Sequence, residues 1–341
     1  MRLHILEEPA EAIAVTADGV HLSELSGFVA GQVVTRATLG VIYAGLGAAE
    51  RGIELVDQAL GIVSSAAQFH RASILAALAS VAALRIRNIS LAEEAARRQA
   101  LEREMTIARQ IQLALLPESL PDVPGYSLFA TNDASRSVSG DFYEVQTRPE
   151  TNEPVLVIAD VSGKGIGASL LTAYVDALVN AYLGENLEPA EIFNRVSPQM
   201  NAKTPVESFA TAFLGIFSID TGELRYASAG HDPTLLIRSR ADIELLMPTG
   251  MPLGLMPEAV YTSAATSLEV GDSLVLYTDG ITEAANPERE EFGRDRLVEA
   301  CRKHRDQAPI GLASAIEKTV DTFVEGVPFH DDRTLVIVRR V

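Results

Sequence analysis

One carboxylate interrupts an otherwise apolar run at residues 155–161, VLVIADV. The run reads as a buried strand that delivers Asp160 at its end. Ser162-Gly163-Lys164-Gly165 follows as a glycine-rich turn, and Ala168–Asn180 then reads as a helix. A carboxylate held at a strand end, beside a loop with free backbone groups, suits a hard metal ion or a phosphate. Taken alone, Asp160 could equally do no more than cap the turn, since acidic residues are common there.

The same character recurs at three other places. Asp141 lies in SVSGDFYE, Asp279 in LVLYTDGITEA and Asp331-Asp332 in FHDDRTLVIV. Each acid borders a strand-like run, a glycine or another aspartate. No His/Cys spacing accompanies them, which disfavours zinc. Oxygen ligands spread over a sheet favour Mg²⁺ or Mn²⁺. Two such ions about 3.5–4 Å apart can hold a phosphate, activate a water between them and stabilise the leaving oxygen. Hydrolysis of that kind needs no protein nucleophile, and no Ser-His-Asp or Cys-His set is evident. Cys301 stands alone in a helical pattern with no supporting motif.

From Gly125 onward short strands, turns and helices are expected. The strands are Ser127–Thr131, Val155–Val161, Phe209–Ile219, Glu223–Ser228, Thr234–Ile237, Ser273–Tyr277 and Thr334–Arg339. Asp220-Thr221-Gly222 reads as a hairpin turn. Helices are expected at Ala168–Leu183, Pro189–Asn201, Arg294–Lys303 and Pro309–Phe323. Strands joined by hairpins, with helices grouped between them, argue for antiparallel sheets in an α+β layered fold.

The preceding residues have a different texture. Gln32–Tyr43 reads as two short strands or one broken strand, and Gly52–Asn88 has helical spacing. Ile89–Leu116 reads as one long helix with Glu93/Arg97 and Glu94/Arg98 pairs four apart. Leu101, Met105, Ala108, Gln112 and Leu115 form a narrow apolar stripe on it. That stripe suits either a two-stranded coiled coil or packing on the helix's own domain. Pro117 and Pro121 end the helix.

Net charge narrows the partners. The chain carries −18 with no basic run, which disfavours binding to a nucleic-acid backbone. Aromatic content of 6 %, with no Trp, argues against base stacking. A phosphate handled in this acidic field would need metal to offset the charge. A single cysteine fits a reducing cytoplasm. No signal peptide is evident, and the apolar helix Ala72–Leu84 is too short to span a bilayer. No membrane association is therefore expected.

The ordered series ARQIQLALLP, SVSGDFYE, ADVSGKGIGASLL, SFATAFLGIF, YASAGHDPTLL, PLGL, LYTDGITEA, FGRDRL and DDRTLVIV resembles the SpoIIE/RsbU branch of bacterial PPM (protein phosphatase 2C-like) serine/threonine phosphatases. The resemblance runs from about Ala108 to Val341. It implies a four-layer α-β-β-α sandwich with two Mn²⁺ or Mg²⁺ ions at one edge of the sheets. It implies that Asp160 bridges both metals, that the Val161 carbonyl helps bind one, and that Asp141 completes that site. Asp279 and Asp331 would bind the other metal, and a metal-bridging water would be the nucleophile. Asp332 is the neighbour not usually assigned as a ligand. His231 matches a position used for a third metal or for protonating the leaving group, and could instead be a turn residue. Lys164 and Arg136 are the nearest candidate cations for the phosphate.

Ser139, Glu144, Ile166-Gly167 and Asp232 depart from the common pattern without removing a ligand. The resemblance also implies a substrate, a phosphorylated STAS-type anti-anti-sigma protein in partner switching. The rival reading is a catalytically weak or inactive phosphoprotein-binding regulator with the same fold. Upstream, Leu39–Tyr43 and Ala76–Asn88 resemble the last third of a GAF sensor domain. The expected layout is therefore a partial α/β GAF-like sensor or dimerisation region at 1–88, a linker helix at 89–118 and a phosphatase domain at 119–341. A homodimer would form through the first two.

Overall fold

The computed structural model describes residues 16, 17, 20, 21, 24, 29–45, 49–65 and 68–341, except 118, 136, 137, 206 and 241. The chain divides into two units, Met1–Ala100 and Leu101–Val341.

In the first unit, helices α1 (Val29–Gly45) and α2 (Ala49–Ser65) pack through Val33, Ala37, Ala59 and Ile62. The strands expected over Gln32–Tyr43 are therefore corrected to helix. Val33 and Ala37 stand four apart on one buried face, and such packing overrides the β preference of Val and Thr. Thr35 and Thr38 donate their hydroxyls to the carbonyls of Gly31 and Val34, one turn back. Leu39–Tyr43, the strand of the GAF-like resemblance, lies in this helix. A third helix, α3, spans Gln68–Leu113.

The second unit contains two five-stranded antiparallel sheets. One holds β1 (Tyr126–Asp133), β10 (Arg333–Arg340), β9 (Ser273–Tyr277), β6 (Thr234–Ile237) and β7 (Ile243–Leu246), in that spatial order. The other runs β2 (Asp141–Thr147), β3 (Pro154–Val161), β4 (Ala210–Phe217), β5 (Glu223–Ala229) and β8 (Ala264–Ser267). Helices α4 (Ile166–Leu183) and α5 (Pro189–Lys203) cover the second sheet. Helices α7 (Gly293–His304) and α8 (Pro309–Val324) cover the first, and the single turn α6 (Asp279–Thr282) follows β9. Every strand expected from Ser127 onward is present, along with β2, β7 and β8, which were not foreseen.

Strand β3 shows how the layers are built. Val155, Val157, Ala159 and Val161 face the helices with Val175, Val179 and Phe193. Leu156 and Ile158 alternate to the other face and meet Leu274, Leu276 and Val336 between the sheets. A strand buried on both faces must be apolar throughout, and each such side chain contributes about 1.5–3 kcal/mol. The same logic explains α4. It is long and apolar enough to cross a membrane by composition, yet Ala168, Val175, Val179 and Leu183 are buried against the second sheet.

Candidate metal centre

Where β3 ends, the alternation that aims Leu156 and Ile158 between the sheets also places Asp160 on that face. Asp141 opens β2 directly opposite Asp160, and Thr211 of β4 is Asp160's partner on the other side. Asp279 follows β9, and Asp331 and Asp332 precede β10. Chain segments that are remote in sequence thus meet at one edge of the sandwich.

Asp141 is 2 % exposed. Its Oδ2 accepts hydrogen bonds from Thr278 Oγ1 at 2.6 Å and Thr334 Oγ1 at 2.7 Å. The side chain therefore ties β2 of one sheet to β9 and β10 of the other. Burial, then the neighbouring charge of Asp160, holds its pKa well above the usual range, against the pull of the two hydroxyls. Asp141 and Asp160 lie within hydrogen-bonding reach, a bond that favours the Asp160 carboxylate. Burial dominates there too and, with Asp331, Asp332 and Asp232, raises Asp160 to about 6. Asp279 is raised to about 7 by burial and then by Asp160, Glu283, Asp331 and Asp232.

The paired aspartates divide their work. Asp332 is buried, and both its oxygens are taken: Oδ1 by Ser135 N–H at 2.7 Å and Oδ2 by Gly140 N–H at 2.6 Å. Asp331 is half-buried and reaches the edge, where its Oδ2 accepts from Lys164 Nζ at 2.7 Å. Lys164 also donates to the His330 carbonyl at 2.7 Å. Gly280 permits this arrangement, since a Cβ there would stand 2.0 Å from the Asp332 carbonyl oxygen. A Cβ on Gly140 would stand 3.0 Å from the Val161 carbonyl oxygen and 3.5 Å from Asp160 Oδ1. The proposed backbone ligand and the aspartate before it therefore both border Gly140.

Asp160 and Asp279 line a cleft of about 240 Å³ together with Thr211, Gly230, His231, Asp232, Thr282 and Glu283. His231 is 2 % exposed, its Nδ1 is 3.1 Å from Thr211 Oγ1, and its Nε2 has no hydrogen-bond partner. Burial pushes its pKa down to about 4, against a smaller pull from the backbone of Tyr277. A neutral imidazole suits a ligand or acceptor better than a resting proton donor. Arg136 lies outside the described residues.

Two groups went unassigned in the sequence reading. Glu283 lines the cleft, and its spacing of four from Asp279 on a turn of helix carried the signal. Gln112, read only as part of a stripe, is buried at the end of α3. Its Nε2 donates to the Ser139 carbonyl, and its Oε1 accepts from Ser139 N–H at 2.7 Å. Ser139 Oγ in turn accepts from Asp141 N–H at 3.0 Å. Pairing of an amide with a distant backbone leaves no trace in spacing.

The donor set fits a hard divalent ion. Burial, and behind it the neighbouring carboxylates, raise the pKa values of Asp160 and Asp279 in the cleft, and oxygen donors in excess suit Mg²⁺ or Mn²⁺. Among the described residues, no three or more His, Cys, Asp or Glu side chains are grouped closely enough to hold a metal ion as they stand.

Residues 151–341 match the family described as stage II sporulation protein E (SpoIIE). Protein IcfG of Synechocystis sp. is 30 % identical over 264 residues, covering 70 % of this chain and 41 % of that protein. Phosphoserine phosphatase RsbU of Bacillus subtilis is 26 % identical over 244 residues, covering 71 % of each. The SiaA-PP2C domain of Pseudomonas aeruginosa superimposes with a TM-score of 0.64 at 22 % identity, over 72 % of this chain and 99 % of that one. At that identity the likeness establishes the PP2C fold. The chain thus spans about two fifths of IcfG and about seven tenths of RsbU.

Proposed function

Because the chain belongs to the SpoIIE family, we propose that it is a metal-dependent phosphoserine/phosphothreonine protein phosphatase. The observation that carries this reading is the one cleft lined by both Asp160 and Asp279, where burial first and neighbouring carboxylates second raise both pKa values. Asp160, Asp279 and Asp331 are its proposed ligands, with the Val161 carbonyl beside Gly140. Asp141, clamped by two threonine hydroxyls, completes one site. Asp332 holds the Ser135 and Gly140 amides and so shapes the loop in place of binding metal. The ions, when bound, supply Lewis-acid polarisation of the phosphate and activation of the attacking water. Either Mn²⁺ or Mg²⁺ suits this donor set, two per domain. Lys164 keeps Asp331 oriented at the cleft's edge.

The substrate belongs to the same proposal. RsbU, which matches over most of its length, is named a phosphoserine phosphatase. By resemblance the substrate is a phosphorylated STAS-type anti-anti-sigma protein, acted on in the cytoplasm. In this reading the catalytic domain spans 119–341 and the linker 89–118, with 1–88 as a sensory or dimerising region. Exposed Ile89, Leu91, Leu101, Ile107 and Ile111 on α3 support self-association there. The Gln112–Ser139 pairing gives the linker a route to Asp141.

Phosphate release from a phosphoserine peptide tests the reading. Stripping with EDTA should abolish turnover, and Mn²⁺ or Mg²⁺ should restore it. Asp160→Asn should lower the metal-restored rate by at least about a hundredfold, because even groups behind a ligand cost ten- to a hundredfold. Metal-independent release, or full activity in that variant, would sink the assignment.

A further inference from the structure

A second cleft, of about 130 Å³, adjoins the acidic one and shares Glu283 with it. One of its walls is apolar, and the other carries Lys164, Glu283, His330 and Asp331. Ala284 and Ala285 follow α6, Val324 ends α8, and Val327, Pro328 and Phe329 lead toward Asp331. The polar groups at its end are already engaged, since Lys164 holds Asp331 and the His330 carbonyl. The wall is fixed from behind. Val327 N–H donates to the Val324 carbonyl at 2.9 Å. The Phe329 ring lies 3.3 Å beneath the Arg333 guanidinium, which is itself bonded to Asp321 at 3.0 Å. A preformed hollow with an apolar wall and polar groups fixed at its end can take a side chain in one orientation.

We propose that this cleft is a specificity subsite for one aliphatic side chain, within two positions of the phosphorylated residue in a protein substrate. The proposal rests on the reading of the adjoining cleft as the phosphatase centre. An extended chain advances about 3.3 Å per residue, so a residue one or two positions from the phosphoserine can reach across Glu283 and Asp331. The alanine, valine and proline walls favour an aliphatic group. An acidic side chain would meet the Glu283 carboxylate, while Lys164 is already engaged with Asp331. The volume takes one branched aliphatic side chain.

The test uses the full chain loaded with Mn²⁺ and short phosphoserine peptides in a Gly/Ala/Ser background. Leu, Asp or Lys is placed at each of the two positions on either side of the phosphoserine. In the wild type, at one position, kcat/KM for Leu should exceed that for Asp and for Lys by at least about tenfold. Val327→Glu should collapse that ratio, and Ala285→Leu, which fills the hollow, should do the same. Each ratio is taken within one preparation, so partial loss of folded protein cancels. Ratios within about threefold of unity at every position, a preference for Lys, or ratios unchanged in both variants would overturn the subsite. Turnover of p-nitrophenyl phosphate separates the two claims. Its presence with flat peptide ratios removes the subsite alone. Its absence removes the phosphatase reading and the subsite with it.

Discussion

Asp279 sits among Asp160, Glu283, Asp331 and Asp232, and burial with these neighbours raises its pKa to about 7. Without metal, the folded state therefore holds a proton that the unfolded chain releases near pH 4. That contribution is fully present below the unfolded value and is lost as pH rises through about 7. Asp279→Asn keeps the shape and removes the ionisation. Its metal-free form should match the wild type at pH 3.5 and be more stable at pH 8, by about 1–2 kcal/mol after allowance for solvent screening. Urea melts in EDTA check this. With Mn²⁺ at pH 8 the order should reverse if Asp279 is a metal ligand as proposed, because only the wild type keeps its carboxylate. A variant that is less stable at pH 8 in EDTA would contradict the crowded-carboxylate account. Gly280 offers a steric counterpart. Gly280→Ala puts a methyl 2.0 Å from the Asp332 carbonyl oxygen, and overpacking of this kind costs about 1–3 kcal/mol. The strain falls on the segment that carries Asp331, so the variant should need more Mn²⁺ for half-maximal turnover. The acids themselves were legible in the sequence, each at a strand end beside a glycine or a second acid. Their supports were not: Thr278 and Thr334 reach Asp141 across 137 and 193 residues of chain.

Among the elements, those with strong internal periodicity were legible and those defined by contact were not. The run VLVIADV announced β3 because both of its faces are covered. β2 was missed because DFYEVQT mixes charged and apolar residues on both faces, with Glu144 and Gln146 bonded to Asn180 of α4. α1 was misread because the valines and threonines of QVVTRATLGVIY favour strand locally, while packing against α2 decides the outcome. The end of α3 carries the prediction that belongs to this scale. Gln112 satisfies both backbone groups of Ser139, and the loop it holds opens β2 at Asp141. Gln112→Ala leaves a buried N–H and carbonyl unpaired, at a cost of about 1–3 kcal/mol. If the contact only stabilises the fold, metal affinity measured well below the melting temperature will not change. If it positions Asp141, the Mn²⁺ concentration for half-maximal turnover should rise about tenfold while Gln112→Glu, which keeps the acceptor, loses less.

At the scale of the whole molecule, the same helix poses a choice about its apolar surface. The stripe of Leu101, Met105, Ala108, Gln112 and Leu115 reads as a coiled-coil seam in the sequence, yet Gln112 is committed to Ser139, and Met105 and Ala108 are half-buried. That stripe is thus partly used within its own unit. Ile107 and Ile111, four apart, stand 57 % and 62 % exposed on another face, in line with Ala100 and Glu104. A chain with a net charge of −18 repels a second copy of itself at long range, so association needs a local apolar seam and should strengthen as salt screens the charge. Sedimentation velocity at about 50 and 300 mM salt would therefore show a dimer favoured at the higher salt. Ile107→Asp combined with Ile111→Asp should return it to monomer, whereas Leu101→Asp should have the smaller effect. Because neither isoleucine touches the carboxylates, metal-dependent turnover by that monomer reports whether pairing of the linkers governs the catalytic centre. A wild type that sediments as a monomer at both salts would remove self-association through this helix from the proposed control of the site.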